Sequence, residues 1–260
     1  METKTFQQKL REGERLSGTH LQMAVPEHAE IFALAGFDYV WIDTEHSPID
    51  DRTLLQCINL VRTRGTAAIV RVPVHDYNRT KRVIEMGPDG IVFPMINTRA
   101  LAEDAIRSTL YPPYGTRGFG PMRAVEYGNL EARDYVEHGV FGMARILQVE
   151  TEEAVRNLKE ILQVPYIDGF VIGPCDLAAS VGELCKEEQP KTNALIRKAA
   201  EILREAGKPF GVSFGEISDE TLDFYLKIGA TFASSGVDYG YLLHGAKETR
   251  IRLKSAMKKA

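Results

Sequence analysis

The sequence predicts an α/β protein built as a single (β/α)8 TIM barrel over residues 1–260, and three observations predict it. Eight short apolar, β-branched runs recur with amphipathic helical stretches between them, the alternation that implies parallel strands covered by helices. The chain has 260 residues, 44% of them hydrophobic, a size at which one barrel closes around one core. Eight strand and helix pairs also exceed what a doubly wound open sheet usually holds.

The elements follow in order. A first strand is expected near residues 17–23, then a helix near 28–35 closed by Gly36. The run YVWID at 39–43 is the second strand, with a helix near 53–64. AIVRV at 68–72 is the third, followed by a helix near 77–86 that ends at Gly87. The fourth strand covers 90–95 and its helix 99–110. ILQV, within 145–149, precedes a helix at 152–162, and GFVI at 169–172 precedes one at 192–206 that ends at Gly207. The seventh and eighth strands fall at 210–214 and 231–235, with helices at 218–228, closed by Gly229, and at 241–257. Residues 111–142 interrupt this rhythm: YPPYGTRGFGPMRA carries three prolines and three glycines, so a long structured loop is expected. Assigned to strand four, it would be a lid or wall of the barrel mouth.

Composition narrows the function. No run reaches the roughly 18 apolar residues of a membrane helix, and the N-terminus lacks the apolar centre of a signal peptide, so a cytoplasmic protein is expected. Cys57, Cys175 and Cys185 have neither CxxC nor zinc spacing. A net charge of -4 with interspersed Lys and Arg gives no footprint for nucleic acid. GxGxxG and GxxxxGK[ST] patterns are missing, which removes support for nucleotide cofactors. Small-molecule chemistry remains.

A barrel strand buried on both faces should be apolar, so polar residues at its carboxyl end need a reason. Strand two runs into Asp43, Glu45 and His46, strand three into Arg71, and strand five into Gln148 and Glu150; strand six leads through GPCD to Asp176, and strand eight ends in Ser234 and Ser235. Taken singly, Glu150 or Asp176 could be a helix N-cap. Together they follow consecutive strands, and neighbouring carboxylates repel unless a cation or proton lies between them. Two oxygen ligands with open positions suit magnesium or manganese. His46 could be an ordinary loop residue, but Asp43 and Glu45 beside it favour a base whose tautomer a carboxylate fixes. Arg71, expensive to bury unpaired, should meet an anion, either a ligand carboxylate or an acidic side chain. His20, His28, His75, His138 and His244 lack such settings and read as structural. No lysine ends any expected strand, which disfavours a Schiff-base aldolase.

These segments also carry a resemblance. AEIFALAGFDYVWIDTEHSP, VRVPVHD, YPPYGTRGFGP, LQVETEEAVRNL and IDGFVIGPCDLAASVG stand in the order of the signature segments of the HpcH/HpaI aldolase family, which this chain resembles densely over residues 29–182. The resemblance implies a class II pyruvate aldolase, with Glu150 and Asp176 holding a divalent cation (magnesium, manganese or cobalt). It implies that Arg71 stabilises the enolate, that His46 is the catalytic base, and that Gln148, Gly173, Pro174, Cys175 and Asp176 bind pyruvate. The acidic partner of His46 would be Glu85, where family members carry aspartate, and Cys175 stands where alanine or asparagine is usual. A homo-oligomer, a hexamer, is implied too. The apolar residues of 241–257 suggest that this last helix packs on a neighbouring subunit.

The reading is therefore reversible aldol cleavage of a 4-hydroxy-2-oxo acid to pyruvate and an aldehyde. A related lyase acting on an acyl-CoA, and a catalytically inactive barrel used for binding, are the alternatives. GFGP and GPCDL look like the free pyruvate aldolases, no basic patch for a CoA phosphate is evident, and the key side-chain types are all present.

Overall fold

The computed structural model describes residues 4–74 and 76–258. Eight parallel strands close in sequence order into a barrel: β1 (Leu16–Leu21), β2 (Tyr39–Asp43), β3 (Ala67–Arg71), β4 (Gly90–Phe93), β5 (Ala144–Val149), β6 (Gly169–Ile172), β7 (Phe210–Ser213) and β8 (Phe232–Val237). The helices, in chain order, are α1 (Phe6–Arg11), α2 (Pro26–Leu34), α3 (Asp51–Arg62), α4 (Tyr77–Glu85), α5 (Arg99–Thr109), α6 (Ala132–Glu137), α7 (Glu152–Ile161), α8 (Pro174–Ser180), α9 (Pro190–Glu205), α10 (Asp219–Ile228) and α11 (Asp238–Met257).

Strand pleating separates two cores. Outward residues such as Val40, Ile42, Val70, Leu147 and Ile172 pack beneath the helices. Inward residues Leu16, Tyr39, Trp41, Ile69, Val92, Ile146, Val171 and Phe232 fill the barrel. The amino end of the barrel is plugged by α1, which buries Phe6 and Leu10 in the same cluster, with the Phe6 and Tyr39 rings 5.5 Å apart. Thr5 caps this helix in a capping box with Gln8.

The long loop is placed differently from the sequence reading. Residues 111–142 follow α5, not strand four directly, so the segment leaves from the amino face of the barrel, opposite the expected mouth. It carries α6 and two short 3₁₀ turns, then enters β5. Its anchor is Arg117, wholly buried, with its guanidinium 4.6 Å from the Tyr111 ring centroid and bonded to Glu85 at 2.7 Å and to the Tyr135 hydroxyl at 3.1 Å. Helix α11 starts against its own barrel through Tyr241, near Phe32 and bonded to Ser235, but Leu242, Leu243, Ile251, Leu253 and Met257 are all exposed, so the rest of the helix is left uncovered. No helix among the described residues is long and apolar enough to cross a membrane.

Candidate active site

Inward positions at the carboxyl ends of the strands bring Asp43, Arg71, Gln148 and Glu150 together. Arg71 is clamped on Asp43 through two parallel bonds, Nε to Oδ1 at 3.0 Å and Nη2 to Oδ2 at 2.6 Å. Its Nη1 lies 2.9 Å from Oε2 of Glu45. The anion that Arg71 requires is thus supplied within the chain. Asp43 also accepts bonds from the backbone N–H of Glu45 and from the Gln22 amide, both at 2.9 Å, so this carboxylate ties β1, β2 and β3 together. Burial pushes the Asp43 carboxyl up, but the bonds and charge of Arg71 outweigh it and the pKa falls below the usual range.

His46 lies at the rim with its ring exposed. Its Nε2 is 3.6 Å from Oε2 of Glu45, an ion-pair distance too long for a hydrogen bond. Asp43 instead meets the backbone N–H of His46, at 3.4 Å. Glu45 therefore sits between the guanidinium and the imidazole. The predicted partnership of His46 with Glu85 is not what the chain forms: Glu85 ends α4, pointed to the amino face, where it neutralises Arg117. The cause is the buried guanidinium, which demands a carboxylate. Replacing Glu85 with alanine should strand that charge and destabilise the fold by about 3 kcal/mol, read as a lower urea midpoint. An unchanged midpoint would contradict this role. His75 lies outside the described residues.

Glu150 is buried at the end of β5. Its Oε1 accepts the backbone N–H of Met95, and its Oε2 accepts the Gln148 amide at 2.6 Å. Met95 adopts a left-handed backbone (φ 55°), a strained conformation for this residue type that turns its N–H toward the carboxylate. Gly173 lies against the same group: a Cβ there would approach Oε2 of Glu150 to 3.0 Å. A side chain at this turn after β6 would press on Glu150 and require that carboxylate to give way. Asp176, in the first turn of α8, is exposed, as is Cys175, while Pro174 is buried at the helix start.

Burial, together with the charges of Asp176 and Glu45, raises the Glu150 carboxyl to about 7, and burial with Asp43 and Asp176 raises Glu45 to about 7. Four acidic groups, Asp43, Glu45, Glu150 and Asp176, thus share one mouth with Arg71 as their neighbouring cation. Gln148 also leaves its buried Oε1 without a partner. A divalent cation fits this donor set, since oxygen ligands are what hard cations take and a positive charge is what the cluster lacks. Among the described residues no group of three His, Cys, Asp or Glu side chains is already gathered as a metal-ligand set.

The sequence did not single out Met95 or Gln22 as parts of this cluster. Glu45 was visible beside His46, but Met95 acts through its backbone, which carries no residue-type signal.

A closed barrel with an arginine and buried carboxylates at the carboxyl ends of its strands has the architecture of a barrel enzyme. The chain belongs to the HpcH/HpaI aldolase/citrate lyase family, whose model matches residues 16–245. It is 35% identical over 250 residues to the hydroxypyruvate/pyruvate aldolase of Pseudomonas aeruginosa, covering 96% of this chain and 92% of that one. It is 33% identical over 250 residues to the 4-hydroxy-2-oxo-heptane-1,7-dioate aldolase of Shigella sonnei, covering 95% and 94%. The crystal structure of an HpcH/HpaI aldolase/citrate lyase family protein from Burkholderia cenocepacia superposes with a TM-score of 0.88 at 29% identity, over 95% of this chain and 98% of that one.

Proposed function

We propose that this chain is a divalent-metal-dependent aldolase that reversibly cleaves a 4-hydroxy-2-oxo acid to pyruvate and an aldehyde. The observation that carries the reading is the acidic mouth of Glu150, Asp176 and Glu45, with Glu150 raised to about 7, beside the fixed Arg71 guanidinium. The aldolase names of the relatives support the same chemistry.

Glu150 and Asp176 would hold the cation, which when bound polarises a 2-oxo acid and favours its enolate. Arg71, already oriented by Asp43, places a second positive charge where the enolate oxygen develops charge and needs no reorganisation to do so. Gln148 and the backbone of Gly173, Pro174 and Cys175 border the same space and are assigned to pyruvate. In the cleavage direction His46 takes the proton of the C4 hydroxyl, directly or through water, as the C3–C4 bond breaks. Its exposed rim position suits a group that must exchange that proton with solvent. Incubating pyruvate and an aldehyde panel with the manganese-loaded protein tests the reading, with 4-hydroxy-2-oxo acids expected and no product with any aldehyde as the contrary result.

We further propose a homo-oligomer, a hexamer, in which α11 covers a neighbouring barrel. Outside β1 and β8 a groove of 790 Å³ stands open, lined by Phe37, Ile217, Leu222, Leu226 and Val237. A barrel strand needs a helix on this face, and α11 presents unburied Leu and Ile side chains. Light scattering should give a multiple of 29.0 kDa, and a strict monomer at micromolar concentration would refute the exchange.

A further inference from the structure

One buried histidine inside the barrel is not used by the mechanism above. Pleating turns His20 of β1 and Ser213 of β7 inward, at the carboxyl ends of their strands. Their side chains join over β8, the strand that lies between them, with His20 Nε2 2.7 Å from Ser213 Oγ. The other ring nitrogen, Nδ1, lies 2.8 Å from the carbonyl oxygen of Gly236. That carbonyl is aimed inward because Gly236 takes a left-handed backbone (φ +80°), where β8 shifts register against β1 between Gly18 and His20. The pair adjoins the site already described, since Trp41 packs beneath both parts of the mouth. Its ring centroid is 5.8 Å from that of His20 and 5.6 Å from the Arg71 guanidinium carbon.

The bonding fixes which atoms face the cavity. A carbonyl can only accept, so Nδ1 carries the hydrogen. Burial disfavours the charged imidazole and lowers the pKa of His20, so the ring is neutral and Nε2 is an acceptor. The Ser213 hydroxyl must then donate to Nε2, and its oxygen keeps lone pairs free. His20 is 5% exposed, while Ser213 is only half buried and reachable from the mouth. The pair therefore offers an uncharged acceptor on the side of the barrel opposite Glu150. A hydroxyl is its complement, since it can donate to the free lone pairs of Ser213 Oγ, whereas a carboxylate has no hydrogen to donate.

We propose that the His20 and Ser213 pair is a specificity element that binds a hydroxyl group of the acceptor aldehyde, so that short hydroxyaldehydes are the preferred partners. The inference rests on the aldolase reading above.

The test compares glycolaldehyde with propionaldehyde, in which a methyl group replaces the hydroxyl, each with pyruvate and the manganese-loaded protein. Wild type should favour glycolaldehyde in kcat/KM. Ser213→Ala should lower that preference at least about tenfold, as loss of one partner to a substrate hydroxyl does. Ser213→Thr, which keeps the hydroxyl, should restore most of it, and His20→Asn should reduce it even if Ser213→Ala fails to fold. A ratio unchanged in soluble variants, or a wild type indifferent to the hydroxyl, would overturn the proposal while leaving the aldolase reading intact. Turnover of neither aldehyde by wild type would instead overturn the reading on which it rests.

Discussion

Glu150→Gln and Asp176→Asn should each abolish measurable turnover while leaving the fold intact. Both changes keep side-chain shape and remove one negative charge from a site that needs it to hold a divalent cation. The cation contributes several kcal/mol of charge stabilisation, so the loss should be on the order of a thousandfold in kcat/KM. Glu150→Gln should also alter how metal binding depends on pH. In the metal-free protein burial, Asp176 and Glu45 hold Glu150 at about 7, so below that pH a proton occupies the carboxyl. The sign is that of a raised acid. The folded state binds this proton more tightly than the unfolded chain, so the metal-free protein loses stability as pH rises from the ordinary carboxylate range through about 7. Manganese needs the ionised form, so its affinity should climb over the same interval and level off above it. Calorimetric titration across that range should show a shallower climb in Glu150→Gln. Normal turnover in either variant would remove its residue from the metal site.

Arg71→Ala should lower kcat by about a hundredfold, roughly 3 kcal/mol, because a preorganised charge is lost where the enolate forms. Metal binding should change far less, since Arg71 contacts Asp43 and Glu45 and bonds to neither Glu150 nor Asp176. The variant leaves Asp43 buried without its guanidinium, so it should also be less stable than wild type. Arg71→Lys separates the two effects: it keeps a charge but cannot form the parallel pair of bonds with Asp43. Activity should remain low in Arg71→Lys, and recovery to near wild type would show that charge alone, without orientation, is what the reaction needs.

The strands were legible because both their faces are buried. YVWID and GFVI match β2 and β6 residue for residue, and the other runs miss by one or two positions at their ends. Arg71 was legible for the complementary reason, as a charge that the interior could not tolerate alone. Features that depend on packing between distant segments were not. Helix α1 has only six residues and acquires its meaning by plugging the barrel with Phe6 and Leu10. Glu85 looked available to His46 until the fold placed Arg117 beside it. His20 read as structural because nothing in SGTHLQM shows that Ser213, far along the chain, will meet it. The displacement of residues 111–142 to the amino face follows from chain order alone, since α5 separates them from β4.

The most direct test of the central claim is turnover before and after chelation. With only two protein carboxylates assigned to it, the cation should exchange readily. EDTA should therefore abolish aldol cleavage, and manganese, cobalt or magnesium should restore it. Borohydride with pyruvate should not inactivate the protein, because no lysine stands at the carboxyl end of any of the eight strands to form an imine. Full activity after exhaustive chelation, or a pyruvate adduct trapped on a lysine, would contradict both the metal assignment and the role given to Glu150 and Asp176.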